Sequence, residues 1–205
     1  MKKLFLIIFT LSFGITIFSE STKELRERIE KSFSSIMTFS ATFNEKIVPV
    51  IGETQSFKGT IDIARPCSLR MEITSPEKEL ILYDGEIAWL YLPGEQYCLK
   101  YRTGGEHSLS RIPGYILEPF ENLIVDTLYN DTDFIFLKLS SEKEDDFFKS
   151  IELKLSKDKI LPSSLTFKDK AGNKTEYNFS NISVNSNKKI NFTFTPPDGI
   201  EIIEK

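Results

Sequence analysis

The stretch FKGTIDIARP, residues 57–66, decides the fold, because apolar and polar side chains alternate along it. The apolar members share one side of an extended chain: Phe57, Gly59, Ile61 and Ile63. The polar members share the other side: Lys58, Thr60 and Asp62. Alternation with a period of two predicts a strand that has one face buried and the other in solvent.

The same alternation recurs before this stretch, after it and in the second half of the chain. Before it, the apolar members are Met37, Phe39, Ala41 and Phe43. After it, they are Leu69, Met71 and Ile73. Later strands are predicted around residues 134–139, 151–155, 165–167, 177–179 and 192–194. With roughly ten or eleven strands in total, the pattern predicts a mainly β domain with one apolar sheet face.

Helices are predicted at two places. Ser21 and Glu24 have the spacing of a capping box, and apolar residues then recur at helical intervals, so an amphipathic helix is expected at the start. Residues 103–132 are interrupted by glycine and proline and contain apolar residues at helical spacing. These apolar residues are Phe120, Leu123, Ile124 and Leu128. Short broken helices are therefore expected over the whole segment, with Glu118 as a cap where the chain enters Pro119.

The hairpin between residues 80 and 92 differs from the other strands. Leu80–Tyr83 and Ile87–Leu92 are apolar throughout, and they flank Asp84-Gly85, a dipeptide suited to a tight turn. Continuous apolar runs are typical of strands that are covered on both faces. We therefore expect a helix to pack inside or across the sheet here.

The N-terminus has the pattern of a secretory signal. Lys2 and Lys3 precede an apolar run from Leu4 to Phe18, and Ser19 ends a segment that matches a cleavage site. The run is too short for a comfortable membrane span, so removal of residues 1–19 is expected rather than a retained anchor. Because no cysteine occurs in the first 66 residues, lipid attachment to this chain itself is not expected.

Residues 20–205 are expected to form a single domain, because roughly 185 residues can bury a sizeable core. The formal net charge of −4 argues against nucleic-acid binding, which requires a concentrated excess of lysine and arginine. Cys67 and Cys98 would meet an oxidising compartment after export. A disulfide between them is therefore left open.

Catalytic chemistry has little support in the sequence. The single histidine, His107, has no nucleophile elbow, zinc-binding helix or cysteine cluster to accompany it, and a surface position is expected. The carboxylates are scattered over solvent-facing strand positions, without a paired acid and base. No enzyme activity, metal or cofactor is expected. The apolar face is either an ordinary core or a cavity for an apolar ligand, and the pattern alone favours the filled core.

Several blocks of the sequence, in matching order and spacing, resemble the outer-membrane lipoprotein carrier (LolA) family. FKGTIDIARP at 57–66 resembles a Gly-led strand that ends in Arg-Pro in that family. DGEIAWLY at 84–91 is similar to the next block, and FTFTPPDGI at 192–200 is similar to the closing strand. The opening helix that leads into FSATF at 39–43 also matches. The resemblance thus covers essentially the whole mature chain.

The resemblance implies an incomplete antiparallel β-barrel, a curved sheet with short helices inside it and across its mouth. The space between sheet and helices would hold the acyl chains of a lipoprotein. An acyl chain gains about 0.8 kcal/mol per buried CH₂, so a chain of about sixteen carbons cannot cross an aqueous gap unaided. The sequence departs from the family at Met71, where an aromatic is frequent, and at Asn44-Glu45, which replace Thr-Gln. The departures leave the shape of the cavity open.

The resemblance also implies a role for Arg65. In the empty, closed state this arginine would latch the lid helices, residues 103–132, through hydrogen bonds to their backbone carbonyls. Candidates for the lipid-binding cavity are Phe39, Phe43, Ile61, Leu69, Met71, Trp89, Tyr91, Phe120 and Leu123. Sequence does not fix the strand register, so each of them has an ordinary core position as its alternative.

The function implied is that of a monomeric periplasmic carrier without a cofactor. It would accept lipoproteins from an inner-membrane lipoprotein-releasing ABC transporter and deliver them to the outer membrane, with an outer-membrane lipoprotein acceptor as a further partner. A lipid-sensing or lipoprotein-sensing regulator of the same fold is the alternative. The sequence does not indicate whether the cargo carries two or three acyl chains.

Overall fold

The computed structural model describes residues 21–102, 108–141 and 148–205. The predicted signal peptide, residues 1–19, and His107 lie outside the described residues, so the expectations for them stay predictions. In the part of the chain that is described, no helix is both long enough and apolar enough to cross a membrane.

The described residues form three helices and twelve strands. The helices are α1 (Thr22–Ser34), α2 (Ser108–Leu117) and α3 (Pro119–Asn122). The strands of the first half are β1 (Thr38–Val48), β2 (Gln55–Ala64), β3 (Ser68–Ser75), β4 (Glu79–Tyr83), β5 (Ile87–Tyr91) and β6 (Tyr97–Arg102). Those of the second half are β7 (Ile124–Asn130), β8 (Phe134–Ser140), β9 (Phe148–Ser156), β10 (Pro162–Asp169), β11 (Lys174–Val184) and β12 (Glu201–Glu204).

All twelve strands belong to one open, curved sheet, in the order β12-β6-β5-β4-β3-β2-β1-β11-β10-β9-β8-β7. Strands β1 to β6 and strands β7 to β11 are two antiparallel meanders, and the pairing of β1 with β11 joins them. The short β12 adds to the edge of β6 in parallel. The mainly β fold with an incomplete barrel, predicted from the sequence, is confirmed.

Helix α1 forms where the capping box predicts it. The Ser21 hydroxyl accepts a hydrogen bond from the backbone N–H of Glu24, and the Glu24 carboxylate accepts one from the Ser21 N–H at 2.9 Å. The hydrogen bonds that the Ser21 backbone N–H and hydroxyl donate to this carboxylate lower the pKa of Glu24. The helix buries Leu25, Ile29 and Phe33 in the core. We call the sheet face that contributes to this core, together with α1 and α2, the inner face.

The inner face of β1, β2 and β3 is built by the alternating residues that the sequence singles out. Phe39 lies opposite Ile63, which in turn lies opposite Leu69. One step along, Ile61 lies opposite Met71. Directly opposed residues share a face, so these side chains form one continuous apolar surface, which the second meander continues through β10 and β11.

The opposite, outer face carries a smaller apolar cluster on β4 to β6. Leu82, Trp89 and Cys98 form a separate buried cluster there, against which Phe194 and Ile200 pack. On the inner face, Tyr83 of β4 and Ala88 of β5 belong to the same core as Ile112 and Ile116 of α2, as expected for a helix packed inside the sheet. The outer cover of β4 and β5 is an extended C-terminal segment, residues 185–200, and not a helix packed across the sheet. We call this segment the C-terminal strap.

The strand predicted around residues 192–194 is wrong. These residues are extended but pair with no strand among the described residues, and the closing strand is β12, a few residues later. Pro196 and Pro197 lie between the two, and proline cannot donate a hydrogen bond to a sheet ladder. The alternation of Phe192 and Phe194 instead turns Phe194 onto the outer cluster.

Part of the predicted lid is a strand. Residues 124–130 form β7, whereas the helical spacing of apolar residues predicted a continuation of the broken helices. The register of β7 against β8 shifts between Val125 and Thr127. Because of this bulge, the partly buried Val125 and Leu128 are three residues apart, which imitates one turn of helix.

Candidate functional site

Arg65, immediately after β2, connects the ends of two helices. Its Nε donates to the carbonyl oxygen of Ile36 at 2.8 Å, just beyond α1, and its Nη2 donates to that of Phe33 at 3.2 Å. The same Nη2 donates to the carbonyl oxygen of Leu117, the last residue of α2, at 3.1 Å. Its Nη1 forms an ion pair with the Glu118 carboxylate. One guanidinium thus joins the sheet, α1 and α2.

The carbonyl acceptors of Arg65 lie at the C-terminal end of α2 and at or just beyond that of α1. The last four carbonyls of an α-helix have no partner within the helix, and the helix dipole makes that end negative. A guanidinium offers five N–H donors in a fixed fork and remains charged, so it can serve several such carbonyls at once. The Arg65 and Glu118 side chains are 19% and 23% exposed, so water screens the pair only in part.

Glu118 is a functional candidate that sequence reasoning missed. The sequence predicts a cap of α3 at this position, but the side chain makes no capping hydrogen bond and is directed to Arg65 instead. An acidic residue directly after the predicted lid helix, in a chain with a predicted arginine latch, was the available signal. We use the word latch for Arg65 together with Glu118.

Five of the predicted cavity residues lie together on the inner face of β1 to β3. They are at most 1% exposed: Phe39, Phe43, Ile61, Leu69 and Met71. Leu123, after α3, is buried in the same core, and Phe120 packs against that core from α3. The guanidinium of Arg26 lies over the Phe120 ring at 4.9 Å from its centre.

Trp89 and Tyr91 do not lie with this group. Both are on the outer face, where their rings contact Phe194 at centroid distances of 5.4 and 5.3 Å. The sequence prediction placed them in the cavity because β5 is apolar on both sides, and such a strand gives no indication of which residues face inward. Their placement is corrected to the site where the C-terminal strap is bound.

A narrow gap with essentially no room even for a water molecule lies between α2 and the inner face. It is lined by Ile61, Met71, Ile112, Ile116, Leu165, Tyr177 and Phe179. Ligand pockets usually measure about 300–1,000 Å³, so this space is too small for an acyl chain. In this structure Ile112 and Ile116 of α2 therefore cover the inner face.

Glu45 is a buried polar residue among the apolar side chains of the inner face. Glu45 on β1 is 8% exposed and lies directly opposite Tyr177 on β11. Burial raises the pKa of Glu45, an effect to which Glu79 adds and which a hydrogen bond from Tyr177 opposes. Burial and the neighbouring carboxylate raise the pKa of Tyr177 well above its usual value.

The cysteines and metal ligands add no further site in the described residues. Both thiols, of Cys67 and Cys98, are free, and burial raises the pKa of Cys98. Within the ranges that the structure describes, no group of three or more histidine, cysteine or acidic side chains could hold a metal ion.

Comparison with curated proteins gives relatives that match over nearly the whole chain. An outer-membrane lipoprotein carrier protein of Vibrio campbellii is 27% identical, and the match covers 98% of each chain. One from Legionella pneumophila is also 27% identical over 100% of each chain. One from Chromobacterium violaceum is 25% identical over 99% of this chain and 98% of its own.

Solved structures show the same fold at low identity. An uncharacterized conserved protein from Thermus thermophilus matches with a TM-score of 0.54 and 14% identity, over 89% of this chain and 98% of its own. A DUF1329 family protein from Desulfovibrio piger matches with a TM-score of 0.50 and 12% identity, over 82% and 93%. The family model described as "Outer membrane lipoprotein carrier protein LolA" matches residues 34–195. This chain therefore belongs to the LolA family of outer membrane lipoprotein carrier proteins.

Proposed function

We propose that this protein is a periplasmic carrier that holds the acyl chains of lipoproteins against its inner face and ferries them from the inner to the outer membrane. The observation that carries the proposal is the latch, which ties α1, α2 and the end of β2 together over a closed apolar face. Relatives that match over the full length bear the name of lipoprotein carriers, which supports the same role.

The inner face supplies the attraction for cargo. Its side chains on β1, β2 and β3 are apolar, and α2 covers them with Ile112 and Ile116. Displacing α2 would expose this surface, and an acyl chain would cover it again with a gain of about 0.8 kcal/mol per buried CH₂. In the empty protein, α2 therefore takes the place of the lipid.

The latch supplies the opposing free energy. A hydrogen bond to a charged group contributes about 1.5–3 kcal/mol net. Arg65 makes three hydrogen bonds to carbonyl oxygens besides its ion pair with Glu118. Forming these contacts again when α2 returns would offset part of the free energy of lipid binding, so that cargo can be released to an acceptor with a more apolar or more open site.

The same proposal assigns the partners. The donor would be an inner-membrane lipoprotein-releasing ABC transporter, and an outer-membrane lipoprotein acceptor would receive the cargo. The predicted signal peptide, residues 1–19, would bring the protein to the periplasm, where it would act as a monomer.

The test is transfer by an Arg65→Leu variant. The variant should still accept lipoprotein from inner membranes, because the apolar face is intact, but should pass it to outer membranes poorly, because closure no longer competes with cargo. Arg102→Leu, a change at an exposed arginine at the end of β6, is the matched control and should transfer normally. Normal transfer by Arg65→Leu would remove the latch from the mechanism.

A second experiment tests the cargo itself. The protein is purified from its own envelope, and whatever co-purifies is identified by mass spectrometry. Lipidated protein that wild type retains but never passes to outer membranes would favour the alternative of a sensor. Absence of any lipidated species would overturn both the carrier function and the sensor alternative.

A further inference from the structure

Glu45 is a buried exception to the apolar character of the inner face. Two carboxylates are buried in the described part of the chain, and they differ in their surroundings. Asp62, on the outer face, accepts hydrogen bonds from Ser40 and from Lys188 at 3.0 Å, so its charge is balanced. Glu45 has no ion pair with any lysine or arginine that the structure describes.

A second carboxylate increases the negative charge near Glu45. Glu79 on β4 is partly buried and lies opposite Ile73, which lies opposite Gly59 on β2. Gly59 lies opposite Phe43, two residues from Glu45, so both carboxylates belong to the inner face. Two like charges in a poorly hydrated site repel each other, and burial disfavours their charged forms. The site therefore lacks a positive charge that would balance the two carboxylates.

The site around Glu45 borders the space that a ligand would use. Glu45 lies directly opposite Tyr177 across the pairing of β1 and β11, and Tyr177 lines the gap between α2 and the sheet. The Tyr177 ring contacts that of Phe43, another inner-face residue, at a centroid distance of 5.7 Å. Once α2 is displaced, a ligand on the inner face would meet this carboxylate and hydroxyl among otherwise apolar side chains.

Lipid-modified cysteine has a nitrogen that fits such a pair. In a lipoprotein, two acyl chains are attached through glycerol to the sulfur of the N-terminal cysteine. The α-nitrogen of the same residue is either a free ammonium group or an amide that carries a third acyl chain. Because the nitrogen and the acyl chains belong to one residue, acyl chains that cover the inner face bring the nitrogen close to that face.

We propose that Glu45 and Tyr177 bind the free α-ammonium group of diacylated cargo, and that this chain prefers diacylated to triacylated lipoprotein. The inference rests on the proposed carrier function and names its cargo class. An ammonium group supplies the charge that the site lacks and can donate to both oxygens. An amide is neutral, so it leaves the buried carboxylate unbalanced, which is costly where water is excluded.

The test compares synthetic lipopeptides that share one peptide sequence with a fluorescent label at its C-terminus. One carries a dipalmitoylglyceryl cysteine with a free amine, the second a third palmitoyl chain on the nitrogen, and the third an acetyl group there. We expect the wild-type protein to bind the free amine at least about tenfold more tightly than the acetylated form, as for other buried charge pairs. The acetyl arm isolates the charge from the bulk of a third chain and requires no variant.

Variants then locate the effect. Glu45→Gln keeps the size of the side chain, and it should weaken binding of the free amine to about the level of the acetylated peptide. Tyr177→Phe should lose part of the preference. Glu152→Gln, at an exposed position of β9, should behave as wild type. Equal binding of the free-amine and acetylated peptides by wild type, or an unchanged preference in Glu45→Gln, would overturn the inference.

The outcomes separate this inference from the proposed function. If the wild-type protein binds none of the lipopeptides, the carrier function fails and the inference fails with it. If all three bind with similar affinity, the carrier function stands and the role of Glu45 is refuted. If the triacylated peptide binds more tightly than the free-amine peptide, the proposed preference for diacylated cargo is refuted.

Discussion

The contribution of Glu118 to closure can be measured with a double-mutant cycle. The changes are Glu118→Gln, Arg65→Leu and the two together. The Glu118→Gln change keeps a hydrogen-bond acceptor near the guanidinium and removes only the charge. The Arg65→Leu change removes the ion pair and all three hydrogen bonds to helix-end carbonyls.

The magnitudes follow from exposure. An ion pair in full solvent contributes about 0–1 kcal/mol, and a shielded charged hydrogen bond about 1.5–3. With 19% and 23% of the two side chains exposed, the pair lies between these limits, at about 1 kcal/mol. Each 1.4 kcal/mol changes a population about tenfold, so Glu118→Gln should raise the open fraction about fivefold. Arg65→Leu should raise it about a hundredfold or more, until the open state predominates.

Binding of a fluorescent fatty acid reports this fraction. The apparent Kd equals the intrinsic Kd divided by the open fraction, so a weaker latch tightens apparent binding by the factor that it adds to the open population. Glu121→Gln, at an exposed position of α3, is the control and should leave the affinity unchanged.

Coupling decides whether the two residues act together. The Glu118 carboxylate acts through the guanidinium, so adding Glu118→Gln to Arg65→Leu should change the affinity little. Strict additivity of the two effects, or weaker fatty-acid binding in either single variant, would refute the assignment of Arg65 and Glu118 as a latch on a closed state.

Three further outcomes are expected. Gly59→Ala should cost about 1–3 kcal/mol in the free energy of unfolding, since its Cβ would overlap a backbone carbonyl of β3, whereas Gly94→Ala, with nothing within 4 Å, should be neutral in denaturant titration. The folded-state pKa of Glu45 is raised above 4.5, so the folded chain holds this proton more firmly and stability falls as pH rises through that range. Glu45→Gln should therefore be more stable than wild type at neutral pH, with the difference disappearing below 4.5; a difference independent of pH would contradict this. Lys188→Ala removes the ion pair that holds the C-terminal strap to the buried carboxylate of Asp62, so it should speed proteolytic cleavage within the strap. Lys189→Ala, at the exposed neighbouring position, should not, and equal cleavage rates in the two variants would show that the ion pair does not hold the strap.

The inner face could be predicted because its physics is local. A strand with one buried face must alternate, so the apolar positions around Ile61 and Met71 could be assigned without any knowledge of the pairing. The capping box likewise lies within four residues, and α1 begins where it predicts. The role of Arg65 came from family resemblance and stays a prediction; of its carbonyl contacts, only that with Leu117 reaches the predicted lid.

The sequence-based predictions are wrong where a segment distant in sequence, or a bulge residue, determines which side of a strand is covered. Period-two alternation predicted a solvent position for Asp62, but Lys188 from the C-terminal strap covers it. Trp89 was assigned to the cavity because nothing near β5 indicates that Phe194 packs on its outer side. In β7, one bulge residue was enough to turn strand spacing into apparent helix spacing, since the bulge shifts the register after Val125.

The pairing of β1 with β11 also determines how the molecule can be made. The two meanders each consist of neighbouring hairpins, which can form from local contacts. The pairing of β1 with β11 joins residues that are far apart in the sequence, as in Phe39 opposite Val184. Contacts of such long sequence separation form slowly and late. A nascent chain therefore cannot join its two meanders until β11 has been synthesised. Until then it can still pass through an export channel in an extended form.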